Sequence, residues 1–329
     1  MSQKLHASII LTYRCNAKCN MCSVWQHPTS PSEEIGLDVI DKLPYMFFAN
    51  ITGGEPFVRK DIVEIVALLN KKSKRIVIST NGYFTDKIID LVKKFPDIGI
   101  RISAEGLPKT NDEIRKIPDG YDRILRTLLE LRSMGIKDIG FGMTVQDLNY
   151  HDLLPLYKLA QGLGYEFATS TLHNSHYFHK WDNKIDDKKS VCAAFNELIK
   201  LFLKSKRPKD WFRAYFNYGL INYINGNERF LPCEMGQDGF FLDPWGDILA
   251  CNGMDVKMPM GNLKKQTWDE IWNSERAKEV RQAVKNCKKN CWMVGSVAPA
   301  IWHHPVKPSL WVLKNKIRQI FGLKIEHKN

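Results

Sequence analysis

The sequence lacks the features that would place the chain in a membrane or in the secretory pathway. No stretch of its 329 residues approaches the ~18 consecutive apolar residues that a membrane-spanning helix needs. The segment from Met1 to His6 has neither a long apolar core nor a small-residue cleavage site, so no signal peptide is predicted. Internal repeats and low-complexity tracts are also missing. We therefore expect a globular, cytoplasmic protein.

Acidic residues are few relative to basic ones, and the formal net charge is +12. Basic runs lie at residues 71–75, 204–209, 285–289 and in the C-terminal tail. They form either a solvated surface or a binding surface for an anionic partner, such as a phosphorylated metabolite, a nucleotide-sugar or a membrane. The sequence has no nucleic-acid recognition module, so nucleic acid is not an expected partner.

Eight cysteines in a chain without an export signal argue against structural disulfides. Metal binding, catalysis or inert burial remain as their uses in a reducing compartment. They fall into two groups, separated by the single Cys192. The first group is Cys15, Cys19 and Cys22; the second is Cys233, Cys251, Cys287 and Cys291. This division indicates a metal site at each end of the fold.

Strand-like apolar runs alternate with helix-length amphipathic stretches as far as residue 171. The predicted strands are 7–12, 47–52, 75–80, 98–104, 138–145 and 165–171. The predicted helices are 33–43, 60–71, 85–95, 121–134 and 151–162. This alternation predicts an α/β fold with a parallel sheet. Six βα units are too few for a closed eight-stranded barrel, so we expect an open, partial (β/α)6 barrel.

Beyond residue 171 the alternation stops. A polar, histidine-rich loop is predicted at 172–187, helices at 189–203 and 267–283, and a hairpin at 239–251 with its turn at 243–247. We divide the chain into a barrel core (1–185), a helical connection (186–230), a small domain (231–305) and a basic amphipathic tail (306–329).

The first cysteine group has the spacing C-x3-C-x2-C and follows the first predicted strand directly. It therefore lies at the carboxyl end of that strand, where active sites of parallel α/β folds form. Three thiolates can bind three irons of a [4Fe–4S] cube and leave the fourth open, whereas a structural zinc site would use four ligands. This motif resembles the signature of the radical S-adenosylmethionine superfamily, and the resemblance covers roughly residues 5–172.

The resemblance implies a cofactor and a set of residues that bind it. In the family, the open iron chelates S-adenosylmethionine, which is cleaved to a 5′-deoxyadenosyl radical that abstracts a substrate hydrogen. A reductant such as flavodoxin or ferredoxin is also implied. Later segments at the strand ends match the family's cofactor-binding positions, with Ala104 and Glu105 standing where Leu and Asp are usual. The implied cofactor-binding residues are Gly53, Gly54, Glu55, Pro56, Ser79, Asn81, Ser103, Glu105 and Arg115.

The second cysteine group resembles the C-terminal extension of SPASM and twitch proteins, which carries auxiliary iron–sulfur clusters. Four cysteines suit a shortened, SPASM/twitch-like domain with one auxiliary [4Fe–4S] cluster. The final pair, Cys287-x3-Cys291, is one residue longer than the commoner C-x2-C, so an open iron is possible there. Structural zinc is the alternative, because four thiolates also satisfy zinc.

Three further segments each have two explanations. Cys192 is either a small buried hydrophobe or a hydrogen-atom donor to a substrate radical. The histidines at 173, 176 and 179 either bind a substrate hydroxyl or phosphate or lie in a solvated loop. In the tail, an apolar helical stripe either docks onto the protein or lies on an anionic membrane as a peripheral contact. The stripe comprises Leu310, Leu313, Ile317, Ile320 and Phe321.

Together these features predict an enzyme that abstracts hydrogen from a small polar substrate, carbohydrate-type or phosphorylated. Dehydrogenation is favoured over epimerisation, because the second cysteine group can hold an electron acceptor while Cys192 has no partner motif. A peptide- or protein-modifying maturase is the alternative enzyme. A non-catalytic electron-transfer protein is a further alternative, although such a carrier would not need Gly53, Gly54 and Glu55 beside a three-cysteine cluster.

Overall fold

The computed structural model of the chain describes residues 4–326. The first three residues of the predicted core and the last three of the predicted tail lie outside this range. Within it, nine strands form one sheet. They are β1 (His6–Ile10), β2 (Phe48–Thr52), β3 (Ile76–Thr80), β4 (Gly99–Ser103), β5 (Ile139–Val145), β6 (Glu166–Thr171), β7 (Gly239–Leu242), β8 (Asp247–Leu249) and β9 (Pro259–Asn262).

The first six strands are parallel, and each pairs with its neighbour in the chain, so this half of the sheet runs from β6 to β1 in order. Their residues are mostly buried, as expected for parallel strands covered on both faces. The six predicted strands are thereby confirmed, each within two residues at its ends.

Twelve α-helices surround the sheet within residues 4–326. The first six are α1 (Leu37–Asp41), α2 (Ile62–Lys72), α3 (Thr85–Lys94), α4 (Pro108–Arg115), α5 (Gly120–Ser133) and α6 (Leu153–Leu163). The others are α7 (Lys188–Lys204), α8 (Pro208–Ile224), α9 (Trp268–Trp272), α10 (Glu275–Lys285), α11 (Val294–His303) and α12 (Val306–Ile320).

Two predicted helices are wrong in their extent. The helix expected at 33–43 is the shorter α1, because Glu34 turns inward to bind other side chains and Gly36 is extended. The helix expected at 267–283 is two helices, α9 and α10. Ser274 separates them with an extended backbone, and its hydroxyl caps α10 by accepting from Ala277 N over 3.0 Å.

The helix α8, which packs against α7, was not predicted from the sequence. Its buried residues lie all around the helix, so it lacks the single apolar face that marks a surface helix. One contact shows how closely α8 is covered. A Cβ on Gly219 would lie 2.0 Å from a ring atom of the buried Trp292, so the indole rests directly on the glycine.

The C-terminal strands extend the sheet of the barrel. β7 pairs in parallel with β1, with His6 opposite Gly239 and Ile9 opposite Leu242. β7 and β8 form the predicted hairpin, and β9 adds an antiparallel strand at the edge. The small C-terminal domain is therefore joined to the barrel by main-chain hydrogen bonds of a shared sheet.

The tail folds as α12 and packs against α7 and α8. Trp311 and Asn315 are buried in this contact, whereas the predicted apolar stripe faces outward. No helix among residues 4–326 combines the length and the apolar character that crossing a bilayer would require.

Candidate functional site

Three free, half-buried thiols occupy the loop that follows β1: Cys15, Cys19 and Cys22, called the triplet below. Main-chain hydrogen bonds fix this loop to the end of α4. Lys18 N donates to Arg115 O over 3.1 Å, and Asn20 N donates to Ile114 O over 3.0 Å. Three thiols on one anchored loop form a donor set for three irons of a single cluster.

A buried ion pair lies beside the triplet. Arg115 Nη1 donates to Glu105 Oε1 over 2.8 Å, and the two side chains are only 10% and 2% exposed. Glu105 also accepts from Thr144 N over 2.7 Å, which ties the pair to β5. The Nε of Arg115 is buried without a hydrogen-bond partner. The guanidinium therefore keeps one unused donor in a site that adjoins three sulfurs.

The charge of Arg115 favours the metal-binding form of the triplet. Burial raises the pKa of Cys15 to about 12 and that of Cys22 to about 11, and Arg115 acts against burial at both thiols. Burial also raises the pKa of Cys19, again with Arg115 opposing it. Because the thiolate is the form that binds iron, this cation lowers the cost of ligation.

Two glycines after β2 allow the backbone to approach the start of the triplet loop. Gly53 has a φ of +153°, and a Cβ there would lie 2.5 Å from Thr12 O. A Cβ on Gly54 would lie 2.3 Å from Arg14 O. Gly54 N donates to Thr12 O over 2.7 Å. Any side chain at either position would push these two segments apart.

Glu55 holds the ends of β2 and β3 together. Its carboxylate accepts from Thr80 Oγ1 over 2.7 Å, from Asn81 N over 2.7 Å and from Phe57 N over 3.1 Å. Burial raises the pKa of this fully buried carboxyl, while the hydrogen bonds from Asn81 and Thr80 act against it. A direct contact of Glu55 with the cofactor stays a prediction.

The other implied cofactor residues lie at the same strand ends. Asn81 Nδ2 donates to Asn16 Oδ1 over 2.7 Å and so reaches the triplet loop. Ser79 Oγ donates to Asn50 Oδ1 over 3.0 Å, across to β2. Ser103 ends β4 and is half-buried, and the buried Pro56 begins a 3-10 turn. The cofactor contacts of these four residues remain predictions.

The sequence analysis did not find the ion-pair network behind the triplet loop. Glu34 accepts from Arg14 Nε over 2.9 Å and from Arg14 Nη2 over 2.7 Å. It also accepts from Arg59 Nη1 over 3.2 Å and from the hydroxyl of Thr12. The sequence does not indicate that Arg14 and Arg59 bind the same carboxylate, because Glu34 lies in a segment predicted as a helix.

The loop at 172–187, called the bridging loop below, folds over the triplet. Tyr177 is buried, and its hydroxyl donates to Gly53 O over 3.1 Å. Ser23 N donates to Phe178 O over 2.9 Å. Asn183 Nδ2 donates to Met21 O over 3.1 Å. The loop thus covers the glycine segment and the triplet at once.

The bridging loop also contacts the second cysteine group. His176 Nδ1 lies 3.1 Å from Met254 O, three residues beyond Cys251. His173 is buried, and its Nε2 accepts from Trp292 N over 3.3 Å, next to Cys291. Burial lowers the pKa of His173 to about 4, so the ring is neutral at pH 7. The expectation of a solvated histidine loop is therefore wrong for His173.

The fold brings the four C-terminal cysteines together from distant parts of the sequence. Burial raises the pKa of Cys251 to about 12; Gly253 N lowers it by donating to Sγ over 3.2 Å, and Cys291, Cys233 and Cys287 raise it further. All four thiols are free, and only Cys287 is exposed. Four thiols brought close together can supply the ligands of one complete cluster.

Cys192 lies apart from both groups, in the first turns of α7. Its Sγ is 4.0 Å from Nδ2 of Asn225, just beyond α8, and burial raises its pKa to about 11. These contacts join two helices, as a small packed side chain would. A role as hydrogen donor stays a prediction.

Two protein-family models match the chain in the places where the two cysteine groups lie. The radical SAM superfamily matches residues 9–160, and the SPASM iron–sulfur cluster-binding domain matches residues 233–292. The chain contains a radical S-adenosylmethionine domain followed by a SPASM domain. The radical SAM domain binds a [4Fe–4S] cluster and S-adenosylmethionine, and the SPASM domain binds auxiliary iron–sulfur clusters.

Similar proteins have several activities. Fe-coproporphyrin III synthase of Methanosarcina barkeri is 33% identical over 163 residues, which is 46% of this chain but only 39% of that protein. The sporulation killing factor maturation protein SkfB of Bacillus subtilis is 23% identical over 294 residues, or 86% of this chain and 68% of SkfB. The Streptococcus suis SuiB structure, solved with the precursor peptide SuiA, shares the fold with a TM-score of 0.63 at 16% identity. That similarity covers 88% of this chain and 72% of SuiB.

The residues present fit these cofactors. The triplet supplies three sulfurs, the glycine pair lets the backbone pass close beside the triplet loop, and Arg115 offers an unused buried donor. Within residues 4–326, no three His, Cys, Asp or Glu side chains converge on one point as ligands of a single ion would. Cysteines that each bind a different iron of a cube need not converge in this way.

Proposed function

We propose that this chain is a radical SAM enzyme that abstracts a hydrogen atom from a peptide or protein substrate. The observation that carries the proposal is the match to SkfB, a maturation protein, over 86% of this chain. SuiB, which shares the fold of this chain, has been solved with the precursor peptide SuiA bound. The carbohydrate-type or phosphorylated substrate that the sequence favoured has no such support.

When bound, the cofactor and the clusters supply hydrogen-atom abstraction and electron transfer. The chain's own residues supply position, charge and shielding. The triplet and the four C-terminal cysteines hold the clusters, and Arg115 offsets negative charge at the first. Tyr177 and the bridging loop cover the glycine pair and so limit the access of water. An oxidised product, two hydrogens lighter than the substrate, is the outcome we favour.

The bridging loop offers an anchor for a peptide side chain. Trp181 lies in this loop, which contacts the segments around both cysteine groups, yet its side chain is 56% exposed. Exposed tryptophans in otherwise fixed segments are frequent anchors in protein and peptide binding. A small polar substrate would need enclosing polar groups at this place rather than an exposed indole.

A tetrapyrrole substrate is the second candidate. Its support is the similarity to Fe-coproporphyrin III synthase, which has the higher sequence identity of the two relatives but matches only 46% of this chain. An exposed indole can also stack on a flat macrocycle, so the substrate class has to be determined directly.

The test uses the fully reconstituted enzyme with S-adenosylmethionine and reduced flavodoxin. Extract from cells grown in heavy water is separated into peptide, polar small-molecule and tetrapyrrole fractions. Deuterium that enters 5′-deoxyadenosine from the peptide fraction alone supports the proposal. Deuterium from the tetrapyrrole fraction alone supports the second candidate. Deuterium from the polar small-molecule fraction alone would refute both candidates and would support a carbohydrate-type substrate.

Two variants then locate the binding surface. Trp181→Ala should lower the substrate-dependent share of 5′-deoxyadenosine formation by about tenfold, as expected for loss of an anchoring aromatic side chain. Tyr45→Ala is the matched control, because Tyr45 is also a largely exposed aromatic residue, 64% exposed, but precedes β2 at the amino end of the strand. If both variants form substrate-dependent 5′-deoxyadenosine at the same rate, Trp181 is not part of the binding surface.

A further inference from the structure

The last helix is held in one orientation on the body of the protein. The ring of Trp311 is buried and stacks on Tyr218, with centroids 4.7 Å apart and planes 7° from parallel. The fully buried Asn315 donates to Trp311 O over 3.0 Å and accepts from Glu326 N over 2.7 Å. This contact decides which face of α12 turns outward.

The outward face is an apolar ridge. Its residues are each about half or more exposed, and they reach 79% at Ile320 and 73% at Phe321. The apolar ridge consists of Leu310, Leu313, Ile317, Ile320 and Phe321. Soluble monomers rarely expose so many large apolar side chains side by side, and such a patch marks an interaction surface.

The charge around the ridge is strongly positive. Residues 306–326 contain five basic side chains against the single acid Glu326. The basic residues are Lys307, Lys314, Lys316, Arg318 and Lys324. Lys316 Nζ donates to Leu203 O over 2.7 Å, which brings the basic run 204–209 next to the helix. Lys314 and Arg318 share Glu326 as their ion-pair partner, so the helix keeps a clear excess of positive charge.

A groove of about 690 Å³ opens beside the ridge. Tyr215, Phe230 and Leu231 line it together with Trp311, Lys307 and Lys314. The groove thus combines apolar walls with cations, which are the features that an acyl chain and a phosphate require.

We propose that α12 lies on an anionic membrane surface. The ridge enters the interface, basic side chains such as Lys314 and Arg318 contact phosphate groups, and the groove accepts an acyl chain of one anionic phospholipid. A second copy of the chain fits less well, because it would bring an equally positive surface against the first. Burial of apolar side chains together with attraction to anionic lipid is how in-plane amphipathic helices bind.

The test measures sedimentation of the intact, reconstituted protein with lipid vesicles. Binding is expected to vesicles of equal parts phosphatidylcholine and phosphatidylglycerol and not to phosphatidylcholine alone, and it should weaken as salt is added. Replacing Ile320 and Phe321 with Ser should lower binding by about tenfold or more, since both lose apolar burial. Removing one charge, as in Lys314→Gln, should lower it by about fivefold.

The control is Leu129→Ser, because Leu129 is a half-exposed apolar residue on α5, away from the ridge; its binding should equal that of the wild type. A phosphatidylglycerol with a photoreactive acyl chain should cross-link to residues 230–232 and 303–314. Vesicle binding without cross-links there would overturn the groove assignment. Failure to bind anionic vesicles, with dimerisation that Ile320→Ser abolishes, would overturn the proposal and make the ridge an interface between copies.

Discussion

Replacing Arg115 with Met should lower both the stability of the protein and its retention of the first cluster. Methionine is unbranched and can fill the space, but it removes the charge and every N–H donor. Glu105 would then keep its hydrogen bond from Thr144 N but lose its counter-ion at a site that is only 2% exposed. Breaking a buried ion pair from one side costs about 3–5 kcal/mol, and the melting temperature should fall by roughly 5–15 °C.

A second substitution separates the two effects. In Arg115→Met with Glu105→Gln, no charge remains buried without a partner, so most of the lost stability should return. Cluster retention should not return, because nothing then offsets the charge of the triplet thiolates. Arg101→Met is the control, since Arg101 on β4 pairs with Asp138, which directly precedes β5 at the sheet end away from the triplet. It should lower the melting temperature and leave both clusters in place.

The assay combines calorimetry, iron analysis and electron paramagnetic resonance of the reduced protein with and without S-adenosylmethionine. We expect the single and the double Arg115 variants to lose the signal that responds to S-adenosylmethionine and to keep the other. Recovery of both the melting temperature and that signal in the double variant would refute the reasoning. Arg115 would then act only as the partner of Glu105.

Four further predictions follow from the same contacts. Replacing the whole triplet with Ala should reduce about eight irons to about four and abolish 5′-deoxyadenosine formation; persistent product would place the active cluster elsewhere. Cys233→Ala with Cys251→Ala should remove only the second cluster, whereas zinc in protein purified without oxygen would contradict an iron–sulfur site. Burial raises the pKa of Glu166, but cations led by Arg213 hold it at about 2, below its ordinary 4.5. Glu166→Gln should therefore lower the urea midpoint at pH 7, and the difference from wild type should shrink as the pH falls from about 4.5 to 2. Cys192→Ala should retain turnover without solvent deuterium in the product; deuterium in the wild-type product and loss of turnover in the variant would make Cys192 the hydrogen donor.

The barrel half of the fold was predictable because its signals are local. A strand that is buried on both faces reads as a short apolar run, as in Ile76–Thr80, and an amphipathic helix such as Thr85–Lys94 repeats with the helical period. The spacing of the triplet is equally local, and it predicts a cluster site at the end of β1. These predictions required no knowledge of residues far apart in the chain. The second cysteine group differs, because its members come together only in the folded chain, and the ligand roles of both groups stay predictions.

The features that the sequence analysis missed depend on distant contacts. In the sequence, Glu34 fits an ordinary helix pattern. Only the folded chain brings Arg14 and Arg59 to it from two other segments. Tyr177 lies in a polar loop, and only the folded chain shows that its hydroxyl reaches Gly53. The helix α8 has no single apolar face, because neighbours cover it on most sides. The periodicity of apolar residues reveals a helix that is buried on one face, so a helix that is buried on most sides is not predicted from it.

The pairing of β7 with β1 has the widest consequence for function. The triplet loop leaves β1, while Cys251 follows β8, so both cysteine groups are tied to one sheet, with only β7 between these two strands. Their separation is thus fixed by main-chain hydrogen bonds rather than by the helical connection between the domains. The bridging loop closes the same unit, because His173 and His176 bind the second group's segments while Tyr177 covers the first. For the proposed function, the bridging loop with the exposed Trp181 is thus the segment that contacts the surroundings of both cysteine groups.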